Sequence, residues 1–261
     1  MRSPRRVDRK DKRMFKKLKA SLGIGAAKVD TILENPELFQ GDTLIGTVHI
    51  QGGDIEQKID AIHLKLNTEI KVENDNGTSY QTLTLFHTQA VNPFVIQAGE
   101  TQEMKFTIKL PDETPITALN VNNNHCDVWV ETVLDIDFAI DPTDRDLLVI
   151  KPMRVAAAII SQIEQAGFSM VKADVEQGFL NGGHFKSHSG GYQEIEFKSN
   201  GFINKKEIEL SFVLDGQVLH CLAEVDRSMG FNRGDQYASF SLNVNASSAD
   251  IHHAVQKILR V

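Results

Sequence analysis

The chain has 261 residues, of which 41% are hydrophobic and 24% charged, with two cysteines and a formal net charge of −7. This length supports one or two domains, each with a sizeable core. Two cysteines cannot form a disulfide framework, and no apolar run is long enough for a spanning helix, so disulfide-stapled and helical membrane classes are excluded. We therefore expect a cytoplasmic protein.

The charge is distributed unevenly along the chain. Residues 1–19 hold ten Lys/Arg and two Asp, a balance of +8, so residues 20–261 carry −15. An acidic body repels phosphates, and we therefore expect no nucleic-acid binding by the fold itself. Only the N-terminal arm, residues 1–19, has the charge to attract an anionic surface.

The arm permits two interpretations. The first is a solvated terminal tail, in which residues 1–13 precede a second candidate start at Met14. The second is an amphipathic helix that docks on a membrane surface, because Phe15, Leu18 and Leu22 recur at helical spacing. In that interpretation the membrane contacts come from the flanking cations Lys16, Lys17 and Lys19.

From residue 29 onward the dominant hydrophobic period is two, which is typical of strands that bury one face. The clearest strand alternates over residues 62–72 and ends in a hairpin turn at residues 73–77. Residues 104–110 repeat the pattern, and residues 126–140 extend it so far that we expect a bend or bulge midway. Residues 141–144 then mark a candidate joint between domains, because Pro142 cannot continue a strand ladder.

The second half begins with a helical pattern over residues 152–167. A hairpin follows, with arms at residues 208–214 and 219–225, and the chain ends in a strand and a helix capped by Ser248 or Asp250. About a dozen short strands separated by turns predict an all-β fold with minor helices. The expected architecture is two antiparallel β-sandwich domains in tandem, over residues 20–146 and 147–261.

Most motifs of catalytic chemistry are missing from the sequence. No phosphate-binding loop, nucleophile elbow, zinc-protease helix or paired C-x-x-C is present. His184 and His188 lie in a glycine-rich run that favours a surface loop, with anion or metal binding as the alternative. His125-Cys126 and His220-Cys221 favour buried, inert thiols over a shared zinc site, since adjacent strand residues point to opposite faces. We expect no enzyme, no cofactor and no metal.

Two residues are candidates for partner binding. Trp129 lies at a position of its strand that faces away from the core. Either a second layer of the fold covers it, or it serves as an anchor for a binding partner. Arg145 is surrounded in sequence by Asp141, Asp144 and Asp146. This pattern favours a salt-bridged hinge or a solvated turn over a calcium loop, because the glycine and distant glutamate of such a loop are missing.

Three stretches of the chain carry a resemblance to a known family. Residues 14–53 include Gly41-Asp42 before Gly46-Thr47-Val48, residues 94–115 include Leu110-Pro111, and residues 128–152 include Asp141-Pro142 and Lys151-Pro152. Together they resemble the bacterial sporulation-control protein M family, whose fold is arrestin-like. The resemblance covers residues 14–261.

The resemblance implies two arrestin-like β-sandwiches and a non-enzymatic role as a regulator or scaffold. We therefore expect an adaptor that contacts protein partners, and itself as a homo-oligomer, through edge strands and the groove between the sandwiches. A peripheral membrane module that docks through the arm is the alternative. The least favoured hypothesis is a metal-dependent enzyme that uses His184, His188 or the His-Cys pairs.

Overall fold

The structure is a computed structural model that describes residues 23, 25–75, 77–137, 139–200, 206–227 and 236–261. The arm, with Lys16, Lys17 and Lys19, lies outside these residues. The described strands are β1 (Lys28–Leu33), β2 (Glu37–Phe39), β3 (Thr43–Gln51), β4 (Gln57–Asn74), β5 (Gly77–Gln89), β6 (Phe94–Ile96), β7 (Thr101–Lys109), β8 (Val128–Ile136), β9 (Thr143–Leu147), β10 (Val149–Lys151), β11 (Phe168–Gln177), β12 (Gly191–Ser199), β13 (Lys206–Asp215), β14 (Val218–Arg227) and β15 (Gln236–Asn243). The described helices are α1 (Arg154–Gln165) and α2 (Ser248–Arg260).

One ten-stranded sheet runs through both halves of the chain. Its order is β15-β14-β13-β12-β11-β4-β8-β9, and β5 and β6 also pair with β4. Strand β4 joins the halves, because it pairs antiparallel with β8 and parallel with β11 at Lys71 and Glu176. A three-stranded sheet, β1-β3-β7, and a short parallel pair, β2-β10, complete the strands. The predicted mostly-β class is confirmed.

The N-terminal core lies between the long sheet and the three-stranded sheet. Leu64 and Leu66 of β4 and Val130 of β8 face Leu44 and Val48 of β3, and all five are buried. The alternation in each strand supplies this inner face, so two sheets can pack as a sandwich. The N-terminal core also contains Leu148 and Ile150, which follow residue 146 in the chain. Ile116, from the connection after β7, belongs in turn to the C-terminal core, so each core includes residues from the other half of the chain.

The C-terminal core is closed by helices in the described part of the chain. Val155 and Ile159 of α1 and Ile251 of α2 pack against strand residues such as Phe197 and Leu210. A helical period shows which stripe of a helix is apolar, but not which sheet face that stripe covers. The predicted helices are thus present near residues 152–167 and after residue 248, and they form the second layer of this half.

Two local expectations change in the structure. Strand β8 ends at Ile136, whose N–H donates to Asp141 Oδ1 at 3.0 Å, so the strand predicted over residues 126–140 is shorter than expected. The cap of α2 is Ser247, whose side chain and that of Asp250 form a reciprocal capping box. The β4–β8 pair has a register shift between Ile59 and Ala61, near the end of β8, and the β4–β5 pair has another between Leu66 and Asn67.

Candidate functional site

The structure brings the two candidate partner-binding residues together. Trp129 on β8 is only 5% exposed, and the guanidinium carbon of Arg145 on the neighbouring β9 lies 3.9 Å from its ring centroid. A cation over an indole face is attracted by the quadrupole of the ring. The outward-facing tryptophan is thus covered by an arginine. Trp129 itself is buried, while the Arg145 side chain above it is exposed to solvent.

The acids beside Arg145 lie on the other side of β9. Asp144 Oδ2 accepts a hydrogen bond from Thr31 N at 2.6 Å, which ties β1 to β9 across the sandwich edge. Burial and the neighbouring Asp144 charge raise the pKa of Asp146 to about 6. Because successive strand residues alternate in direction, Asp144 and Asp146 face away from Arg145, and no salt bridge joins them to it in the described part of the chain.

Removal of the guanidinium tests the Trp129 contact. We expect R145A to lower the free energy of unfolding by about 1 kcal/mol, because the cation–π contact and the cover over the ring are both lost. Trp129 is the only tryptophan of the chain, so its emission reports this site directly. A red-shifted emission maximum is expected, with K105A, which removes an exposed cation from β7, as the control. An unchanged spectrum would show that Arg145 does not cover the ring.

A cavity of about 670 Å³ lies at the junction between the two halves. Its walls are formed by Leu85 of β5, by residues 111–113 from the N-terminal half, and by residues 184–186, 188, 189 and 213–215 with His220 from the C-terminal half. Such a size falls in the range of small-molecule and peptide side-chain pockets.

Two carboxylates of the connection after β7 hold the halves together at this cavity. Glu113 accepts hydrogen bonds from His188 N at 2.8 and 3.0 Å and from Ser189 N at 2.9 Å. Asp112 Oδ2 accepts one from Gly216 N at 2.9 Å. Deeper in the junction, the Gln193 side chain accepts from Ile116 N at 3.0 Å and donates to its carbonyl at 2.7 Å. We call the Asp112 and Glu113 contacts the clasp.

The glycine-rich loop between β11 and β12 is packed rather than free. Leu180 and Phe185 are 7% and 8% exposed and contact Val213 on the outer face of the sheet. A Cβ atom at Gly182 would lie 2.1 Å from the Phe185 ring, so this position requires glycine. The run predicted as a surface loop thus covers part of the C-terminal sheet.

Two histidines of this region converge on one serine. His184 Nε2 and His220 Nδ1 each lie 2.7 Å from Ser241 Oγ, while His188 is held through its backbone by Glu113. In the described part of the chain no group of three His, Cys, Asp or Glu side chains is placed to hold an ion. The residue that sequence reasoning missed is Ser241, because nothing in the pattern of β15 distinguishes it.

Both cysteines lie in the cores. Burial raises the pKa of the Cys126 thiol to about 12, and burial also raises that of the fully buried Cys221. The Cys126 sulfur accepts a hydrogen bond from the Gln193 side chain at 3.0 Å. Cys126 and Cys221 belong to different clusters of buried residues. A raised thiol pKa suppresses the reactive thiolate.

Strand β5 is the most unusual edge of the long sheet. Its 13 residues include no Lys, Arg, Asp, Glu or Pro, and among the described strands it pairs only with β4. The edge strands β1, β7 and β9 all carry charges, and β15 is uncharged but only 8 residues long. Exposed sheet edges normally carry charges or proline to prevent the addition of another strand.

The fold and these contacts define a mostly-β protein with two cores that share one sheet. No helix among the described residues is long and apolar enough to cross a membrane.

The family model described as SpoOM protein, Spo0M, matches residues 15–229. The sporulation-control protein spo0M of Bacillus subtilis (strain 168) is 39% identical over 223 residues, which span 84% of this chain and 83% of the relative. The crystal structure of Spo0M from B. subtilis superimposes with a TM-score of 0.75 at 31% identity, over 91% of this chain and 98% of that one. The chain belongs to the Spo0M family of bacterial sporulation-control proteins, as the sequence resemblance predicted.

Proposed function

We propose that the protein is a non-enzymatic adaptor of the cytoplasm that regulates by contact with protein partners. Its membership of a sporulation-control family supports a regulatory role. The observation that carries the proposal is the long, uncharged edge of β5. An extended segment of a partner would add to this edge as a further strand and gain main-chain hydrogen bonds, while side-chain contacts supply specificity.

The surroundings of β5 support this role. The strand lies along β4, which continues from the N-terminal sandwich to the junction with β11, so a strand added at β5 would follow both halves. Leu85 of β5 lines the junction cavity, which offers a place for a partner side chain. The clasp fixes the halves around that cavity, and the surface is therefore formed before a partner binds.

A single lysine on β5 tests the proposal. Thr82 is exposed and lies opposite Glu69 on β4, so T82K gains a cross-strand ion pair that supports the native strand. The same lysine opposes strand addition, and we expect it to weaken partner binding about fivefold or more. The measurement is quantitative recovery of saturably bound protein from native lysate, followed by titration with the purified partner.

The matched control is T101K, which places the same change at an exposed position of the charged edge strand β7. Recovery by T101K should equal that of the unmodified chain. Equal recovery by T82K, or the absence of any saturable partner, would contradict the proposal.

A further inference from the structure

The glycine-rich loop between β11 and β12 folds back on itself as a small unit. Gly178 N donates to Gly190 O at 3.0 Å and closes the base of the loop, and Ser187 N donates to Leu180 O at 3.0 Å across it. The Ser187 hydroxyl accepts a further hydrogen bond from Leu180 N at 2.7 Å. Because these bonds lie within the segment, it can move against the sheet without losing them. We call residues 178–190 the strap.

The strap lies on the outer face of the C-terminal sheet. Leu180 and Phe185 pack on Val213, which is only 4% exposed. The Phe185 ring also stacks on that of His220, with 4.7 Å between the centroids and 12° between the planes. Residues of the strap form one wall of the junction cavity. Displacement of the strap would therefore expose Val213 and widen the cavity.

A cluster of three polar side chains joins the tip of the strap to the strands beneath it. His184 Nε2 of the strap and His220 Nδ1 of β14 each lie 2.7 Å from Ser241 Oγ of β15, and the two imidazole centroids are 5.8 Å apart. A serine hydroxyl has one proton, so with neutral rings it donates to one imidazole and accepts from the other. We call these three residues the latch.

The latch depends on the charge of its two histidines. A neutral imidazole offers one donor and one acceptor, whereas a protonated imidazole offers two donors. When both rings are protonated, the Ser241 proton has no ring nitrogen to bind, and two positive charges lie 5.8 Å apart on either side of the hydroxyl. Like charges at this distance repel one another more strongly at a protein surface than in bulk water.

The surroundings of the latch contain charges of both signs. The other charged and titratable groups that line the cavity are Lys186, His188, Asp112, Glu113 and Asp215. The two clasp carboxylates accept hydrogen bonds from the backbone of the C-terminal half, and Asp215 is exposed at the end of β13. The strand neighbours of His220 are Val213 on β13 and Ser241 on β15, and both are uncharged.

The environment of His220 disfavours its charged form. Partial burial, followed by the neighbouring His184, lowers the pKa of His220, while Asp215 acts in the opposite direction. A histidine whose pKa is lowered by the closed strap stabilises that arrangement while it is neutral. This contribution is complete above about pH 6.5, the ordinary value for histidine, and is lost as the pH falls below it. Acidification therefore favours displacement of the strap.

We propose that the latch is an acid-sensitive switch that holds the strap over the junction cavity at neutral pH and releases it on acidification. The clasp binds the other end of the strap, at His188 and Ser189, so the tip is the part that moves. Release gives solutes access to the cavity from the side of the C-terminal sheet. The switch does not use the hydrogen-bonding edge of β5, so either proposal can fail without the other.

A cysteine placed under the strap measures its displacement. V213C puts a thiol at a position that the strap covers, and S239C puts one at an exposed position of β15 as a reference. The rate of reaction with dithiodipyridine is measured for both, because the ratio of the two rates corrects for the dependence of thiol chemistry on pH. We expect this ratio to rise about fivefold from pH 7.5 to pH 5.

Further variants in the V213C background test whether the latch causes this rise. H184Q keeps a polar group opposite Ser241 but cannot become charged, so its ratio should stay constant between the two pH values. The control H253Q changes an exposed histidine of α2 and should show the full rise. S241A removes the shared hydroxyl and should raise the ratio at both pH values. If H184Q does not fold, as judged by circular dichroism, H220N serves in its place.

A ratio that is the same at pH 7.5 and pH 5, or that rises equally in H184Q, would overturn the proposal. A lower ratio at pH 5 would also overturn it, because attraction between a charged His220 and the Phe185 ring would then tighten the strap. The buried Cys126 and Cys221 should remain unreacted throughout. Their reaction at the same rate as V213C would mean that the whole fold opens, which contradicts a local switch.

Discussion

The variant E194Q is expected to be more stable than the unmodified chain at pH 9 and equally stable at pH 4. Glu194 is largely buried on the outer face of β12, where burial and three neighbouring glutamates raise its pKa from 4.5 to about 8. An acid whose pKa is raised on folding favours the folded state while it is protonated. That contribution is complete below about pH 4.5 and is lost as the pH rises through 8.

The size of the effect follows from the shift. Each pKa unit corresponds to about 1.4 kcal/mol, and the partly exposed site reduces the full value, so we expect a gain of about 2–4 kcal/mol for E194Q at pH 9. For a chain of this length, that gain corresponds to about 5–10 °C in thermal midpoint. Thermal unfolding at a series of pH values measures it directly.

A comparison of variants separates Glu194 from other acids that titrate in the same range, such as Asp146 and Glu207. These groups remain in both proteins, so the difference between the two stability curves belongs to Glu194. The control E34Q changes an exposed acid between β1 and β2 and should follow the unmodified chain. A stability difference that is constant from pH 4 to pH 9 would refute the explanation.

The second large effect is expected at the clasp. In E113Q, an uncharged amide replaces a carboxylate that accepts from the backbone N–H groups of both His188 and Ser189. Hydrogen bonds to a charged acceptor are stronger than neutral ones, and the amide N–H₂ would face a donor. We expect a loss of about 2–3 kcal/mol in the free energy of unfolding, measured by urea denaturation.

Hydrogen exchange distinguishes loss of the clasp from general destabilisation. The amides of His188 and Ser189 should exchange faster in E113Q, while the amides of the β13–β14 hairpin core stay protected. The control E164Q changes an exposed residue of α1 and should alter neither stability nor exchange. Slow exchange at residues 188 and 189 in E113Q would mean that Glu113 does not hold the loop.

Local patterns predicted much of the fold correctly. Alternation over residues 62–72 lies within β4, the turn predicted at residues 73–77 spans the end of β4 and the start of β5, and the hairpin predicted with arms at residues 208–214 and 219–225 is the β13–β14 pair. These features depend on neighbours in sequence, which is why they are readable without a structure. Strand β8 was overestimated, because the apolar alternation continues past Ile136 while Asp141 ends the strand by accepting from its N–H.

The candidate site was less accessible from the sequence. The sequence indicates Trp129 as a candidate by its outward position on a strand, and Arg145 by the acidic residues around it. Their contact arises only because β8 and β9 are neighbours in the sheet. The glycine-rich run gave no sign that Leu180 and Phe185 would pack on Val213. The clasp joins residues 75 to 104 positions apart, and no local pattern records such pairs.

The sequence by itself determined the mostly-β class, the family, the positions of the helices and the opposition between a basic arm and an acidic body. Each of these properties depends on the residue types and on how hydrophobic residues repeat over short stretches of the sequence. Only the tertiary structure decided that one sheet joins both halves, that helices close the second core, and that glutamates from β12, β13 and β14 meet at one pocket. The physical reason is that strand order and register bring distant residues into contact, and a period of two specifies which face a residue takes but not which neighbour it meets.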